Sequence, residues 1–400
     1  MAQQPYSNAT FDDYRWLVDA TAGRLLTDLA ESPDDSLRQA VRLRKDWSAS
    51  RVHLLLQQVE LRRRAKAKFP DADRMYFTPV GLEQATDGWI AAYKAGRFRD
   101  RGNPVYDLCC GIGGDLAALA RGGPAIGADR DPIAALLAKT NSPSAIGVVV
   151  GDVSDLSCSS GAWHIDPDRR PSGRRTTRVV CYEPAPTVID RLIGANDTGA
   201  IKLAPAAELP DHWRHNAEQE WISRAGECRQ LVAWFGRLAT RPGGRRATVI
   251  AGDGAPSQIR TVAGDGHVAP PAATDFGRYL VEPDAAVLAA GLVGVLADEH
   301  GLAAIAPGAA YLTGERAVFD PALACFEINE VLAFDIKRIK ALLRERSVGR
   351  LEIKKRGVDV DPEELRSRLR VPGDAAATLF LTRRGRAITA LLTNRLVGAV

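Results

Sequence analysis

The sequence predicts an α/β fold: a parallel sheet preceded by a helical region and followed by a small α+β domain. Three observations predict it. Leu17, Leu25, Leu26 and Leu29 recur at helical spacing near the start. From about residue 76, apolar strand-like runs alternate with Gly-rich turns and helical runs. From residue 322 a basic helix, strand, helix and hairpin follow one another. Four hundred residues suit two or three domains, and the natural division is 1–75, 76–318 and 322–400.

The elements follow in order. Residues 11–68 read as helices broken at Ser-Pro-Asp-Asp, 32–35, which also supplies an N-cap. The run from Ser36 to Phe69 reads as one long helix closed by Pro70. Residues 103–108, 124–129 and 145–150 read as strands, with helices at 113–122 and 132–140 between them. Further strands are expected at 163–166, 200–203, 230–235 and 247–250. Residues 251–275, rich in Gly, Ala and Pro, read as a loop. In the last domain 334–346 is a helix, 350–356 a strand, 361–370 a capped helix, and 377–393 a hairpin turning at Arg384-Gly385.

Composition narrows the class. The apolar share of 46% and charged share of 26% are those of an ordinary globular protein. No apolar run approaches the roughly 20 residues a membrane helix needs. The first 17 residues have no basic flank followed by an apolar core, so no signal peptide is expected, and the cytoplasm is the expected location. The six cysteines form no CxxC pair, which fits reduced thiols rather than a disulfide framework or a metal site. Net charge is only +4, but residues 336–356 hold nine Lys or Arg against two Glu. Such a cluster can attract a polyanion or simply form a solvated face.

The strongest local signal is Asp107-Leu-Cys-Cys-Gly111-Ile-Gly113-Gly114-Asp115, a Gly-rich turn between a strand and a helix. Glycines there let a ligand approach the backbone. A dinucleotide fingerprint would cradle a pyrophosphate on the helix N-terminus, and the Asp107 carboxylate would repel one. A cationic ligand without phosphate, such as S-adenosylmethionine, suits it. Asp129 ends the next strand and can accept from both hydroxyls of a ribose. Asp152 ends the third strand and can accept from an adenine amino group. Three acids then line the carboxyl edge of one sheet.

The set resembles motifs I to III of class I methyltransferases, with Asp107, Gly111, Gly113, Asp129 and Asp152 matching position by position. The resemblance implies a Rossmann-like class I methyltransferase sheet that binds S-adenosyl-L-methionine and needs no metal. Cys109, Arg130 and Val153 flank the matched positions and join the expected cofactor contacts. Phe77, Thr78 and Gln84 lie in a segment that folds over the methionine end of the cofactor in related enzymes. Thr78-Pro79 also reads as a helix cap followed by a first-turn proline.

For the acceptor, Asp166-Pro167 after the fourth strand matches the first two positions of the motif with which amine methyltransferases hold a base. Asp168 and Arg169 replace its second proline and aromatic. Tyr182 is the candidate stacking ring, or else a rim residue. The whole chain is similar to bacterial class I methyltransferases with a C-terminal THUMP-like domain, in LRRRAKAKFP, DLCCGIGGD, IDPDRR, IKLAP, EINEVLAFDIKRIK and LEIKKRGVDVDPEELRSRL. It is more distantly similar to trimethylguanosine synthases and RNA guanine-N2 methyltransferases. The THUMP-like domain implies RNA, tRNA or rRNA, as partner, and Lys337, Arg338, Lys354, Lys355 and Arg356 are the candidate phosphate contacts. Alternatives are methylation of DNA, protein or a small molecule, or a protein that binds cofactor and RNA without turnover. A nicotinamide oxidoreductase is disfavoured by Asp107.

Overall fold

The computed structural model describes residues 9–397, except 101–103, 171–172, 175, 267, 307–309 and 386. Residues 1–8, part of the stretch read for a signal peptide, lie outside the described residues, as do Asn103 and Arg386 at the margins of expected elements. The chain divides into two compact units, Met1–Gln219 with Gln230–Gly243, and Glu220–Arg229 with Gly244–Val400.

The first unit opens with four helices, α1 (Phe11–Leu17), α2 (Ala20–Glu31), α3 (Ser36–Leu43) and α4 (Ala49–Ala65). Each start is capped: Thr10 and Asp13 form a capping box, and Asp19, Asp35 and Ser48 accept from first-turn amides. The single helix expected over 36–69 is thus two helices. Ser48 caps the second, and Trp47 in the break lays its ring 4.8 Å from that of Trp16. Leu17, Leu26, Leu55 and Leu61 are buried in the core between these helices. Two short helices follow, α5 (Pro79–Gln84), whose start the sequence marks, and α6 (Gly88–Phe98), which the sequence reading did not anticipate. Thr78 caps α5, with Pro79 in its first turn.

The expected alternation then appears: β1 (Val105–Leu108), α7 (Gly114–Gly122), β2 (Ala125–Asp129), α8 (Pro132–Asn141), β3 (Gly147–Val150), β4 (Ala162–Ile165), α9 (Pro186–Ala195), β5 (Gly199–Leu203), α10 (Asp211–Asn216), and a hairpin of β6 (Glu218–Arg224) and β7 (Glu227–Trp234). In this unit the strand order is β3-β2-β1-β4-β5-β7. The first five are parallel, and β7 runs antiparallel to β5. The chain runs outward from β1 to β3 and returns to the other side of β1 as β4. The order therefore reverses between β1 and β4, and the crevice beyond their carboxyl ends is where such sheets bind ligands.

The second unit contains β8 (Arg245–Ile250), β9 (Ile259–Gly264), β10 (Tyr279–Pro283), α11 (Ala285–Ala290), α12 (Val293–His300), β11 (Ala303–Ala304), β12 (Leu312–Gly314), β13 (Leu323–Ala333), α13 (Ile336–Glu345), β14 (Val348–Arg356), α14 (Pro362–Leu369), β15 (Ala375–Arg384) and β16 (Ala387–Arg395). The loop expected over 251–275 contains β9, which finds its backbone partners along β8. A seven-stranded sheet runs β11-β12-β10-β13-β16-β15-β14. The sequence division at 318–322 falls inside this sheet, because β10 pairs with both β12 and β13. Helices α13 and α14 cover one face through Ile339, Leu343, Leu365 and Leu369 against Ile353, Leu379 and Leu392. The other face carries Tyr311, Phe326 and Phe380, whose rings meet edge to face at 5.1 and 4.8 Å.

Candidate active site

The turn after β1 is shaped by three positive φ angles, at Cys109 (56°), Gly111 (54°) and Gly113 (85°). Cys109 pays a left-handed penalty that glycine would not, a form of strain that clusters at functional sites. A Cβ on Gly113 would lie 3.0 Å from the Ala138 Cα, so that glycine lets α8 pack against the turn. A Cβ on Gly111 would meet nothing within 4 Å. Gly113 is required by packing, and Gly111 faces open space that a ligand can enter.

Asp129 secures the turn. Its Oδ2 accepts from Gly111 N at 2.8 Å and its Oδ1 from Asp131 N at 2.9 Å. Each oxygen keeps lone pairs for a further donor. Burial raises the Asp129 pKa. Asp152 accepts from Ser154 N at 2.7 Å, chiefly through which its pKa is lowered. Arg130 is ion-paired to Glu183. These residues gather along the carboxyl ends of β1, β2 and β3, with Val153 buried just beyond. Asp107 on β1 and Asp166 just after β4 join Asp129 and Asp152 along this edge of the sheet. This edge fits a cation better than a pyrophosphate.

Beneath the turn lies a buried polar chain that the sequence reading did not assemble. His164 Nδ1 lies 2.7 Å from Asp107 Oδ1, and His164 Nε2 lies 3.1 Å from Lys94 Nζ. Lys94 Nζ is 2.7 Å from Asp115 Oδ1, and Thr86 Oγ1 donates to Asp115 Oδ2 at 2.5 Å. All five residues are buried. Burial lowers the Lys94 pKa and raises that of Asp107. Burial also acts to raise Asp115, but Lys94, His164 and Lys202 outweigh it and hold that carboxyl low. Asp107 Oδ2 is buried with no hydrogen-bond partner among the described residues. Lys94 carried no signal, since nothing in a helical run marks one lysine as buried.

On the acceptor side, Asp166 N donates to Leu108 O, which ties the end of β4 to β1. Asp166 Oδ2 lies 2.5 Å from Lys202 Nζ, and Lys202 also donates to Gln84 O at 3.2 Å. Asp168 and Glu183 exchange backbone hydrogen bonds, bringing Asp166-Pro167 beside the segment of Tyr182. Tyr182 is only 4% exposed, and its hydroxyl accepts from Ala204 N at 3.4 Å. A ring so enclosed offers no free face, so the expected stacking role of Tyr182 is corrected. Phe77 is corrected likewise: it is 2% exposed and packs on Phe69 in the helical core. Thr78 Oγ1 caps α5, and Gln84 is exposed, with its carbonyl held by Lys202.

The basic cluster of the second unit is not one patch. Along β14 successive side chains alternate between sheet faces. Lys354 is ion-paired to Glu282 at 2.5 Å and lies over the Phe326 ring. Arg356 lies 5.4 Å from the Tyr311 ring centre. Both are therefore engaged on the aromatic face, which corrects their reading as free phosphate contacts. Lys355 is exposed on the opposite side. Lys337 and Arg338 are exposed on α13, as is Arg344 one to two turns further on.

The model of THUMP domain-like sequences matches residues 323–395. That of a domain of unknown function matches residues 10–65. Uncharacterized S-adenosylmethionine-dependent methyltransferases of two Mycobacterium tuberculosis strains are 34% identical over 354 residues, spanning 84% of this chain and 94% of theirs. The crystal structure of a candidate methyltransferase from Porphyromonas gingivalis W83 superposes with a TM-score of 0.77 at 21% identity, over 95% of this chain and 99% of that one. That likeness shows the shared fold. Among the described residues, no helix is long and apolar enough to cross a membrane.

Proposed function

This chain belongs to the S-adenosylmethionine-dependent methyltransferases, and we propose that it transfers the methyl group to a base in structured RNA, tRNA or rRNA. The observation that carries the choice of RNA is a pairing of features in the last 80 residues. A THUMP-like sequence there displays Lys337, Arg338 and Arg344 on one helix, all exposed. Such cations suit phosphates and position a substrate without reading its sequence.

In this reading the first unit holds cofactor and acceptor, and the second, which carries the THUMP-like sequence, presents the RNA. Asp107, Gly111, Gly113, Asp129 and Asp152, with Cys109, Arg130 and Val153 beside them, would hold the cofactor. Asp129 takes the ribose. The bound cofactor supplies an electrophilic methyl group on a sulfonium sulfur. Asp166, next to Pro167, takes a hydrogen bond from the acceptor amine through its second oxygen and turns the nitrogen lone pair toward the methyl. Lys202 holds the first oxygen. Transfer from a sulfonium loses positive charge, so orientation and exclusion of water matter more than a strong base.

Labelled S-adenosylmethionine incubated with pooled RNA, DNA, protein and small molecules from a strain lacking the gene tests the proposal. Label confined to RNA is expected. Label in another pool with none in RNA replaces the acceptor class and leaves the enzyme class intact.

A further inference from the structure

A base held for transfer needs a planar group to lie on as well as an acceptor for its amine. The rings nearest Asp166 in the sheet do not offer one. Trp163 and His164 on β4 are buried, and Tyr182 is enclosed with its hydroxyl on Ala204 N. The neighbouring cations are engaged, Arg130 by Glu183, Arg170 by Glu83 and Lys202 by Asp166. Arg169 differs. It is partly exposed, and among the described residues its guanidinium has no hydrogen-bond or ion-pair partner. Its backbone is nevertheless fixed. Arg169 O accepts from Thr176 N at 3.0 Å. On one side Asp168 exchanges backbone bonds with Glu183, and on the other Arg170 N donates to Asp168 Oδ1 at 2.9 Å.

Arg169 follows Asp166 by three residues, which keeps their Cα atoms within about 11 Å of each other. The two side chains also share a neighbour. Burial raises the pKa of the Tyr182 phenol, the bond from Ala204 N and the charge of Arg169 oppose that rise, and Asp166 adds to it. Both side chains therefore lie within electrostatic reach of one hydroxyl beside the acceptor. A guanidinium is planar, delocalised and weakly hydrated, so it lies flat against a base where a lysine ammonium does not. In the sequence Arg169 also stands where the amine-methyltransferase motif has its aromatic. We propose that Arg169 is the platform for the acceptor base, its guanidinium plane stacking on the ring whose amine Asp166 accepts. The inference rests on the reading of the acceptor as a base in RNA. The flat face, rather than the positive charge, is what the site uses.

The test follows methyl transfer to total RNA by the full chain and by Arg169→Ala, Arg169→Lys and Arg169→Phe, with kcat and KM for RNA taken separately. Arg169→Ala and Arg169→Lys are each expected to lose about tenfold or more in kcat/KM, the worth of one stacked base. Arg169→Phe restores a flat face without charge and is expected to stay within about threefold of wild type. Calorimetry should find cofactor affinity unchanged in all three. RNA binding over a salt series needs no turnover: Arg169→Phe should keep the wild-type slope, whereas loss of a phosphate contact would take about 0.7–0.9 from it. Full activity in Arg169→Ala, activity in Arg169→Lys but not in Arg169→Phe, a flattened slope, or a fall in cofactor affinity each overturns the platform and leaves the RNA reading intact. No label in RNA from a wild type that binds cofactor overturns the RNA reading and the platform with it. Thermal melts establish that each variant is folded.

Discussion

Lys202 Nζ lies 2.5 Å from Asp166 Oδ2, on neighbouring parallel strands at the carboxyl edge of the sheet. The pair is partly exposed, so its value lies in aim more than in attraction. Lys202→Met should reduce kcat roughly tenfold, on the order of 1.4 kcal/mol, with cofactor affinity changed less than about threefold. Asp166→Ala should lower kcat about a hundredfold or more with cofactor binding retained. Single-turnover transfer and calorimetry check both. If Asp166→Ala turns over normally, the acceptor is held elsewhere.

The two glycines of the turn should separate fold from ligand. Gly113→Ala drives a Cβ against the Ala138 backbone and Ser142, so loss of thermal stability is expected. Gly111→Ala meets no neighbour within 4 Å. It should cost only the left-handed strain of about 1–2 kcal/mol, while weakening cofactor binding at least about tenfold. Tm and cofactor Kd, measured together, decide. Equal loss of stability in both variants would remove the argument for a ligand over Gly111.

Asp129→Ala should weaken cofactor binding by about 2 kcal/mol, roughly thirtyfold, because charge-assisted bonds to the ribose and the anchor of Gly111 N go together. Calorimetry showing unchanged affinity would contradict the ribose assignment.

On the RNA side, Ala at Lys337, Arg338 and Arg344 should lower RNA affinity. It should also flatten the plot of log affinity against log salt by about two units, for three lost phosphate contacts. Lys354→Ala should leave that slope unchanged and lower stability instead, because it strands Glu282. Filter binding over a salt series distinguishes the two sets.

Tyr311 gives a pH prediction. Burial, with Glu282 nearby, pushes its phenol from 10.0 up to about 12. The unfolded chain ionises first, so the contribution of this residue is whole below pH 10.0 and is lost as pH rises through about 12. Tyr311→Phe should remove that part of the alkaline loss of Tm. Identical alkaline profiles in wild type and Tyr311→Phe would refute the shift.

The alternation of strands and Gly-rich turns made the central sheet legible, because period-two apolar runs and glycine turns are local signals. Thr78-Pro79 announced α5 for the same reason. The break at Ser48 was hidden inside a continuous helical periodicity, and β9 inside a Gly- and Pro-rich stretch, since a strand there depends on its pairing with β8. Asp107, Asp129 and Asp166 were legible as acids at strand ends. Lys94 and Lys202 were not, because a lysine becomes part of a site only through the partner that tertiary structure sets against it. Lys354 shows the opposite: its basic run is visible in the sequence, but its partner Glu282 lies on another strand 72 residues away and is set against it only by the fold.

The most direct test compares wild type, Asp166→Ala and the Lys337/Arg338/Arg344 triple variant for transfer of labelled methyl from S-adenosylmethionine to total RNA. Label is expected in RNA with the wild type and not with Asp166→Ala, and transfer by the triple variant is expected to recover as RNA concentration is raised. Equal label with Asp166→Ala, or no label in RNA from a wild-type protein that binds cofactor, would contradict it.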